Sequence, residues 1–345
     1  MKNQIAPPGQ GFHVITDALK DEAKLAGSVQ ILAGLRKAYN AALERALNRQ
    51  AFGASIYTFD LVNDKLGKAA MYIYALESAI YMTAGLSDYQ KDPDICLEAT
   101  ACRLFATESA KYVQSISKSL LGGNTYLSDD AISRVFDDIE GLNWWESCAD
   151  LNSLYLGLGG LAYSAENRQE YVSTMRNSLN DMFSSLKAGR QYKKKYGNLP
   201  SNPKLRLKLH EHVHPSLDLG AKKVEAMFVY FDMLVADLLV QHGSDIQLQE
   251  VDVERLAKTG SDIYVMSSIL ARANRSYCDG HAHADMEIKA ALSFILMKEP
   301  SVMNDFAEAS KSPLEKLDMI VFNISKYMNE QGKYALVHPV VKNVF

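Results

Sequence analysis

Five consecutive residues carry the spacing of a zinc site. His210-Glu211-His212-Val213-His214 fits the pattern HExxH, in which two histidines one helical turn apart hold the metal and the glutamate activates a water molecule. That chemistry requires a helix, and Pro215 disfavours a helical backbone at the residue before it. A solvated polar loop is therefore favoured over a metal site.

The other groups that could do chemistry have similarly simple explanations. His281, His283 and Asp285 fit the start of a helix, and residues 157–160 (Gly-Leu-Gly-Gly) follow no strand and so do not form a dinucleotide-binding loop. The cysteines form no CxxC pair and indicate free thiols in a reducing compartment; they are Cys96, Cys102, Cys148 and Cys278. We therefore expect no metal site.

The elements that position these residues are predicted to be helices. Apolar residues recur every three or four positions through three long segments of the first 160 residues and again beyond residue 224, and no run alternates with period two. The chain is therefore predicted to be all-α. A four-helix bundle is expected over residues 1–160, a basic linker or amphipathic region over 161–212, and a second helical domain over 213–345.

Composition narrows the classes of partner. The 345 residues carry a net charge of −4, which argues against a general nucleic-acid binder. No run of about twenty uncharged apolar residues predicts a membrane-spanning helix, and the first residues read as neither a signal nor a transit peptide. The basic run over 175–208 is interleaved with Met182-Phe183 and Tyr192, which suits either an anionic membrane surface or a solvated linker.

Several segments, in order, resemble one family. Residues 8–12 (PGQGF), 49–53 (RQAFG) and 120–123 (LLGG) are similar to motifs of the C-terminal domain of acyl-CoA dehydrogenases. Residues 214–217 (HPSL) and 270–276 (LARANRS) resemble the extra helical region of the very-long-chain branch, which also includes a mitochondrial complex I assembly factor. The resemblance implies a helical flavin-binding domain followed by a second helical domain, without the N-terminal helical domain and the β-domain of the family.

The resemblance also implies a reaction, the dehydrogenation of a long-chain acyl-CoA at Cα–Cβ. A carboxylate takes the α-proton while a hydride passes to FAD. Alignment through residues 133–136 and 154–156 places Glu146 at the position of that base. Glu140 is the alternative because Gly141 follows it as in the family, but it lies six residues early. A solvated glutamate at a helix start is the structural alternative for Glu146.

FAD contacts are implied at five positions: Arg49, Phe52, Gly53, Gly122 and Gly123. A helix C-terminal cation is the alternative for the arginine, and a plain helix C-cap is the alternative for the two adjacent glycines. Other positions depart from the family pattern, so the implied set of flavin contacts is incomplete. Ser147, Cys148 and Ala149 stand where the family has Gly, Thr and Asn, and Ala51, Ser119 and Thr125 also differ.

Two functions follow from these observations. The chain is expected to be the C-terminal portion of a flavin-dependent acyl-CoA dehydrogenase, inactive in isolation, or a non-catalytic helical scaffold, for example in respiratory complex I assembly. Because the family pairs through long helices, a homodimer is expected. The resemblance implies a mitochondrial location at the inner membrane or in the matrix, with residues 175–208 as the membrane-contacting segment.

Overall fold

Helices form nearly all of the described structure. The computed structural model describes residues 4–19, 22–89, 93–145, 147–176, 186–187, 190, 197–198, 202–311, 315–337 and 340. Its helices are α1 (Gly11–Leu19), α2 (Glu22–Asn48), α3 (Asp60–Tyr89), α4 (Cys96–Leu121), α5 (Ala131–Trp144), α6 (Ala149–Arg176), α7 (Asp218–His242), α8 (Glu250–Cys278), α9 (Ala284–Ala309) and α10 (Leu317–Gln331). The all-α class predicted from the sequence is confirmed.

Strands are limited, in the described ranges, to two short antiparallel pairs. β1 (Gln50–Ala51) pairs with β2 (Ala54–Ser55) between α2 and α3, with Ala51 opposite Ala54. β3 (Gly197–Asn198) pairs with β4 (Asn202–Pro203). Neither pair forms a layer of the fold, so the core is built by helix packing alone.

Helices α2 to α5 pack together as the first unit of the core. Ile31, Leu35, Ala38 and Ala42 recur at helical spacing on α2 and are all buried, which places one face of this helix against α4, with α3 and α5 alongside. Gly34 permits the close approach of α5, since a Cβ there would lie 2.6 Å from Ile139 Cγ1.

The C-terminal helices share a core with this bundle. Helix α8 packs against α3, α4, α6, α7 and α9. Ser261 Oγ donates to the Ala101 carbonyl (2.8 Å), and the hydroxyls of Tyr264 and Thr83 are 2.8 Å apart. Helix α6 runs through residue 160 and contacts α4 as well as α7 and α8. The sequence-based division into 1–160, 161–212 and 213–345 stays a prediction.

One glycine of α6 gives a sharp test of this packing. A Cβ at Gly157 would lie 2.7 Å from the Val253 carbonyl oxygen on α8, and a backbone atom cannot turn aside. We expect Gly157→Ala to lower the free energy of unfolding by about 1–3 kcal/mol, measured by urea denaturation. The matched control is Gly160→Ala, one turn later, where a Cβ meets no atom within 4 Å and helix propensity favours alanine by roughly 1 kcal/mol. Equal effects of the two changes would contradict the predicted contact.

The two C-terminal motifs meet each other. The His214 amide donates to Asn274 Oδ1 (2.8 Å), and the His214 ring lies 3.8 Å from that of Tyr277. Three-residue 3₁₀ turns, Leu209–Glu211 and Pro215–Leu217, replace the helix that the HExxH chemistry would require. Hence His214 and Asn274 fasten the start of α7 to α8.

A buried carboxylate organises the segment before these turns. Glu225 on α7 is 1% exposed and accepts hydrogen bonds from the backbone amides of Leu207 (2.7 Å), Lys208 (3.0 Å) and Leu209 (2.9 Å). Lys208 adopts a positive φ of 53°, which turns successive amides toward one acceptor. The carboxylate thus holds the entry to α7 against the helix.

Candidate functional site

The hairpin between α2 and α3 presents an aromatic ring and a cation to solvent. We call residues 49–55 the α2–α3 hairpin. Ser55 Oγ fastens it to the end of α2 by donating to the Ala46 (2.8 Å) and Leu47 (2.9 Å) carbonyls. Phe52 is 98% exposed with a φ of 55°, and Arg49 is exposed. A left-handed backbone is strained for phenylalanine, so this ring is held outward at an energetic cost.

The two adjacent glycines lie at the same end of the bundle. Gly122 ends α4 with φ 70° and ψ −143°, a conformation that only glycine adopts without strain. Because α2, α3 and α4 are antiparallel in turn, the end of α4 lies beside the α2–α3 hairpin. Lys65 Nζ of α3 and Ser119 Oγ of α4, 3.1 Å apart, join the helices there. The structure therefore brings Arg49, Phe52, Gly53, Gly122 and Gly123 to one end.

These glycines also leave open space. A Cβ built at Gly53, Gly122 or Gly123 meets no atom within 4 Å. The chain's own packing thus does not fill the surface between the hairpin and the end of α4. An open surface beside a guanidinium and an aromatic ring fits an anionic, planar ligand.

Glu146 lies outside the described residues, but its neighbours are placed. Arg103 on α4 is fully buried, and its Nη2 donates to the carbonyls of Leu142 and Trp145 at the end of α5. Gly27 on α2 packs beside this guanidinium, and a Cβ there would lie 3.6 Å from Arg103 Cζ, an ordinary van der Waals distance. A buried cation therefore holds the residue that precedes Glu146, an arrangement that the sequence analysis missed.

The five residues predicted to contact FAD and Trp145, the residue that precedes Glu146, lie at opposite ends of the bundle. Arg103 packs beside Gly27 near the start of α2, whereas the hairpin follows its end at Asn48. At 1.5 Å per residue, α2 rises about 31 Å between these points. One chain therefore separates Trp145 from Arg49 by about that distance.

Glu140, the alternative base, lies on the surface of α5. It is exposed, and its Oε2 accepts a 3.5 Å hydrogen bond from Asn143 Nδ2. A solvated carboxylate of this kind lacks the dry, enclosed surroundings that proton abstraction next to a thioester requires. The geometry does not favour Glu140 as a base.

A buried ionic cluster, also missed by the sequence analysis, joins both halves of the chain. Lys298 Nζ on α9 donates to Asp262 Oδ1 on α8 (2.9 Å) and to Glu108 Oε1 on α4 (2.5 Å). The Tyr72 hydroxyl on α3 reaches Glu108 at 3.3 Å. Burial raises the pKa of Asp262 to about 6, although Lys298 opposes the shift. In the sequence, this cluster is indicated by Lys298, which interrupts the apolar face formed by Ile295 and Val302.

This cluster predicts a pH dependence of stability. Because the folded-state pKa of Asp262 is raised, its contribution to the free energy of unfolding is present below about pH 4 and lost as pH rises through about 6. We expect the stability difference between the wild type and Asp262→Asn to fall by up to about 3 kcal/mol across that window. Urea denaturation at several pH values measures it, and parallel profiles for the two proteins would contradict the raised pKa.

Comparison with known proteins identifies the family. Residues 9–150 match the family model "Acyl-CoA dehydrogenase, C-terminal domain", and residues 215–334 match "ACAD9/ACADV, C-terminal domain". The chain belongs to the acyl-CoA dehydrogenase family. The resemblance inferred from the sequence motifs is thereby confirmed.

Relatives within the acyl-CoA dehydrogenase family align along almost the whole chain. The mitochondrial very long-chain specific acyl-CoA dehydrogenase of Bos taurus is 27% identical, over 98% of this chain and 51% of its own length. The protein of the same name from Homo sapiens gives the same identity and coverage. The chain thus spans about half the length of the curated relatives it matches.

Solved structures of acyl-CoA dehydrogenases share the fold. An acyl-CoA dehydrogenase complexed with FAD from Bacillus anthracis matches 96% of this chain and 55% of its own, with 16% identity and a TM-score of 0.72. Caenorhabditis elegans ACDH-11 in complex with C11-CoA matches 93% of this chain and 49% of its own, with a TM-score of 0.57. Both structures are 16% identical to this chain, and at that identity the likeness shows the fold alone.

The described residues were also compared with the requirements of a membrane-spanning helix and of a metal site. Within them, no helix has the length and apolarity needed to cross a bilayer. The same ranges contain no group of three His, Cys, Asp or Glu side chains arranged to hold a metal ion. Most of the basic segment falls outside them, at residues 177–185, 188–189, 191–196 and 199–201. Membrane contact through 175–208 stays a prediction.

Proposed function

We propose that this chain is the C-terminal half of a flavin-dependent acyl-CoA dehydrogenase that acts on long-chain acyl-CoA, and that it is inactive in isolation. The observation that carries the proposal is the open surface between the α2–α3 hairpin and the end of α4. It presents Arg49 and Phe52 to solvent beside glycines with free space above them. A ligand held on this surface alone would remain largely exposed, and affinity in such sites comes from enclosure.

The residues at this end fit FAD. Arg49 would pair with the pyrophosphate through its parallel donors, and Phe52 would cover an apolar part of the cofactor. Gly53, Gly122 and Gly123 would let the backbone approach closely. When bound, the flavin supplies the acceptor for a hydride.

Glu146 is proposed as the base that removes the α-proton of the thioester. Such a base needs a fixed position and a pKa near the working pH. Arg103 supports the first requirement, because it binds the Leu142 and Trp145 carbonyls and so fixes the backbone that leads to residue 146. In the complete protein, the thioester would have to lie against this end of the bundle, shielded from water.

A homodimer follows from the separation of the two ends. One chain holds Arg49 about 31 Å from the backbone around Glu146, too far for both to serve one flavin. In a homodimer, the α2–α3 hairpin of one chain can complete the site near Glu146 of the other, which supports pairing along the long helices. Light scattering of the chain tests this assignment, and a monomer at micromolar concentration would contradict it.

The location is proposed from the relatives. Proteins named as mitochondrial align over 98% of the chain, so we place this protein in the mitochondrion, in the matrix or at the inner membrane. Residues 175–208 would provide contact with an anionic membrane surface through their basic side chains.

A non-catalytic scaffold is the alternative function, for example in complex I assembly. Side chains that depart from the family pattern make contacts within the chain itself, which supports this alternative. Thr125 is buried and its Oγ1 donates to the Gly122 carbonyl (2.9 Å), and Ser119 contacts Lys65. These positions then contribute to the fold and not to a cofactor.

Flavin content separates the two functions. The purified 345-residue chain is expected to be colourless, whereas a protein completed by the N-terminal helical domain and β-domain should carry stoichiometric flavin and reduce a dye in the presence of long-chain acyl-CoA. A completed, folded protein that binds neither flavin nor acyl-CoA would overturn the enzymatic proposal. A stoichiometric flavin on the chain alone would contradict the expectation that the isolated chain is colourless and therefore lacks the cofactor needed for activity.

A further inference from the structure

A long apolar groove runs between α6 and α7. It shares no lining residue with the α2–α3 hairpin or the end of α4. Its volume is about 680 Å³, within the range of small-molecule sites. Leu158, Leu161, Ala165 and Val172 line it from one face of α6, and Leu239 closes it from α7. From Leu158 to Arg176 the helix rises about 27 Å, so the groove is elongated.

A cation stands at one end of this groove. The Arg176 guanidinium packs against Gly243, where a Cβ would lie 2.7 Å from Arg176 Cζ, and Nη1 donates to the Val240 carbonyl (3.1 Å). Gly243 has a φ of 57°, so both its conformation and its lack of a side chain make room for the guanidinium. A guanidinium has five donors, and the bond to the Val240 carbonyl orients the group while using one of them.

We propose that the groove binds one long-chain fatty acid, with its alkyl chain along α6 and its carboxylate paired with Arg176. Each C–C bond advances an extended chain by about 1.25 Å, so the fifteen C–C bonds of a sixteen-carbon acid span about 19 Å, which fits the length of the groove. Gln169, Ser173 and Gln247 also line the groove and can hydrogen-bond a carboxylate.

This site is separate from the proposed dehydrogenase site. Arg176 lies about 40 Å along α6 from Ala149, near which Glu146 falls in the sequence. Binding here requires neither flavin nor Glu146. The proposal therefore stands or falls independently of the enzymatic function.

The test is titration of the 345-residue chain with hexadecanoate below its critical micelle concentration, with hexadecan-1-ol as the uncharged probe. We expect saturable binding of one hexadecanoate per chain. Ala165→Trp should fill the groove and weaken both probes at least tenfold. Arg176→Gln should weaken hexadecanoate about tenfold, the effect of losing one charge-assisted contact, and leave hexadecan-1-ol unchanged.

Two matched variants locate the site. Asn167→Trp adds the same ring on the opposite face of α6, and Arg275→Gln removes a guanidinium that is 84% exposed elsewhere; both should bind as the wild type does. Absence of saturable binding, or unchanged binding in Ala165→Trp, would overturn the proposal. Binding to anionic vesicles without binding of free hexadecanoate would assign the groove to a membrane. A change of mass in Ala165→Trp without fatty-acid binding would assign it to an interface between copies, and either result overturns the fatty-acid site.

Discussion

Glu146→Gln is expected to lower acyl-CoA-dependent dye reduction by the complete enzyme by about 10²–10⁴-fold. The amide is nearly isosteric with the carboxylate but cannot accept the α-proton. Flavin content and acyl-CoA binding should be retained, because Arg103 still holds the Leu142 and Trp145 carbonyls and the substitution changes none of the residues proposed to contact FAD. The measurement is steady-state turnover together with flavin absorbance.

Glu140→Gln is the matched control for this prediction. Glu140 lies six residues earlier on the surface of α5 and is exposed, so its loss should leave turnover within about twofold of the wild type. If instead Glu140→Gln is inactive and Glu146→Gln retains turnover, the base is Glu140 and the alignment through residues 133–136 is wrong. Full activity in both variants would remove this segment from the chemistry.

Lys298→Met is expected to lower the free energy of unfolding by about 3–5 kcal/mol at neutral pH. The change removes the cation that lies 2.9 Å from Asp262 Oδ1, and Asp262 is only 2% exposed. An unpaired carboxylate in the core is strongly disfavoured. Methionine itself fits beside the rings of Tyr72 and Phe105, over which Lys298 Nζ lies. Lys298 opposes the raised pKa of Asp262, which is about 6 in the wild type, so its removal raises that pKa further. The loss should therefore shrink as pH falls toward 6 and be smallest below it, where the carboxyl is protonated in both proteins.

Two further variants distinguish an uncompensated charge from a simple packing defect. Adding Asp262→Asn to Lys298→Met should recover part of the lost stability, since no charge is then left without its partner in the pair. Lys223→Met breaks the Lys223–Glu299 ion pair, whose side chains are both 29% exposed, and should change stability by at most about 1 kcal/mol. A double variant no more stable than Lys298→Met would show that the cost comes from packing.

The sequence by itself determined the helices and the family. Apolar residues at helical spacing from Val29 to Leu47 predict α2 because an apolar face every three or four residues is a local property of the chain. The order of the PGQGF, RQAFG and LLGG segments was sufficient for the resemblance that the family match confirmed. The assignment of Glu146 to the base, and of five other residues to FAD, stays a prediction.

Only the tertiary structure decided which distant residues meet. Lys298 and Glu108 are 190 positions apart in sequence, and neither residue type predicts a buried ion pair, because charged side chains are usually solvated. Three features depend on how the antiparallel helices are aligned. They are the hydrogen bond from Arg103 to the Trp145 carbonyl, the distance between Trp145 and the α2–α3 hairpin, and the groove that ends at Arg176. Helix formation is set by nearby residues, whereas burial and pairing are set by packing between helices, which no local pattern encodes.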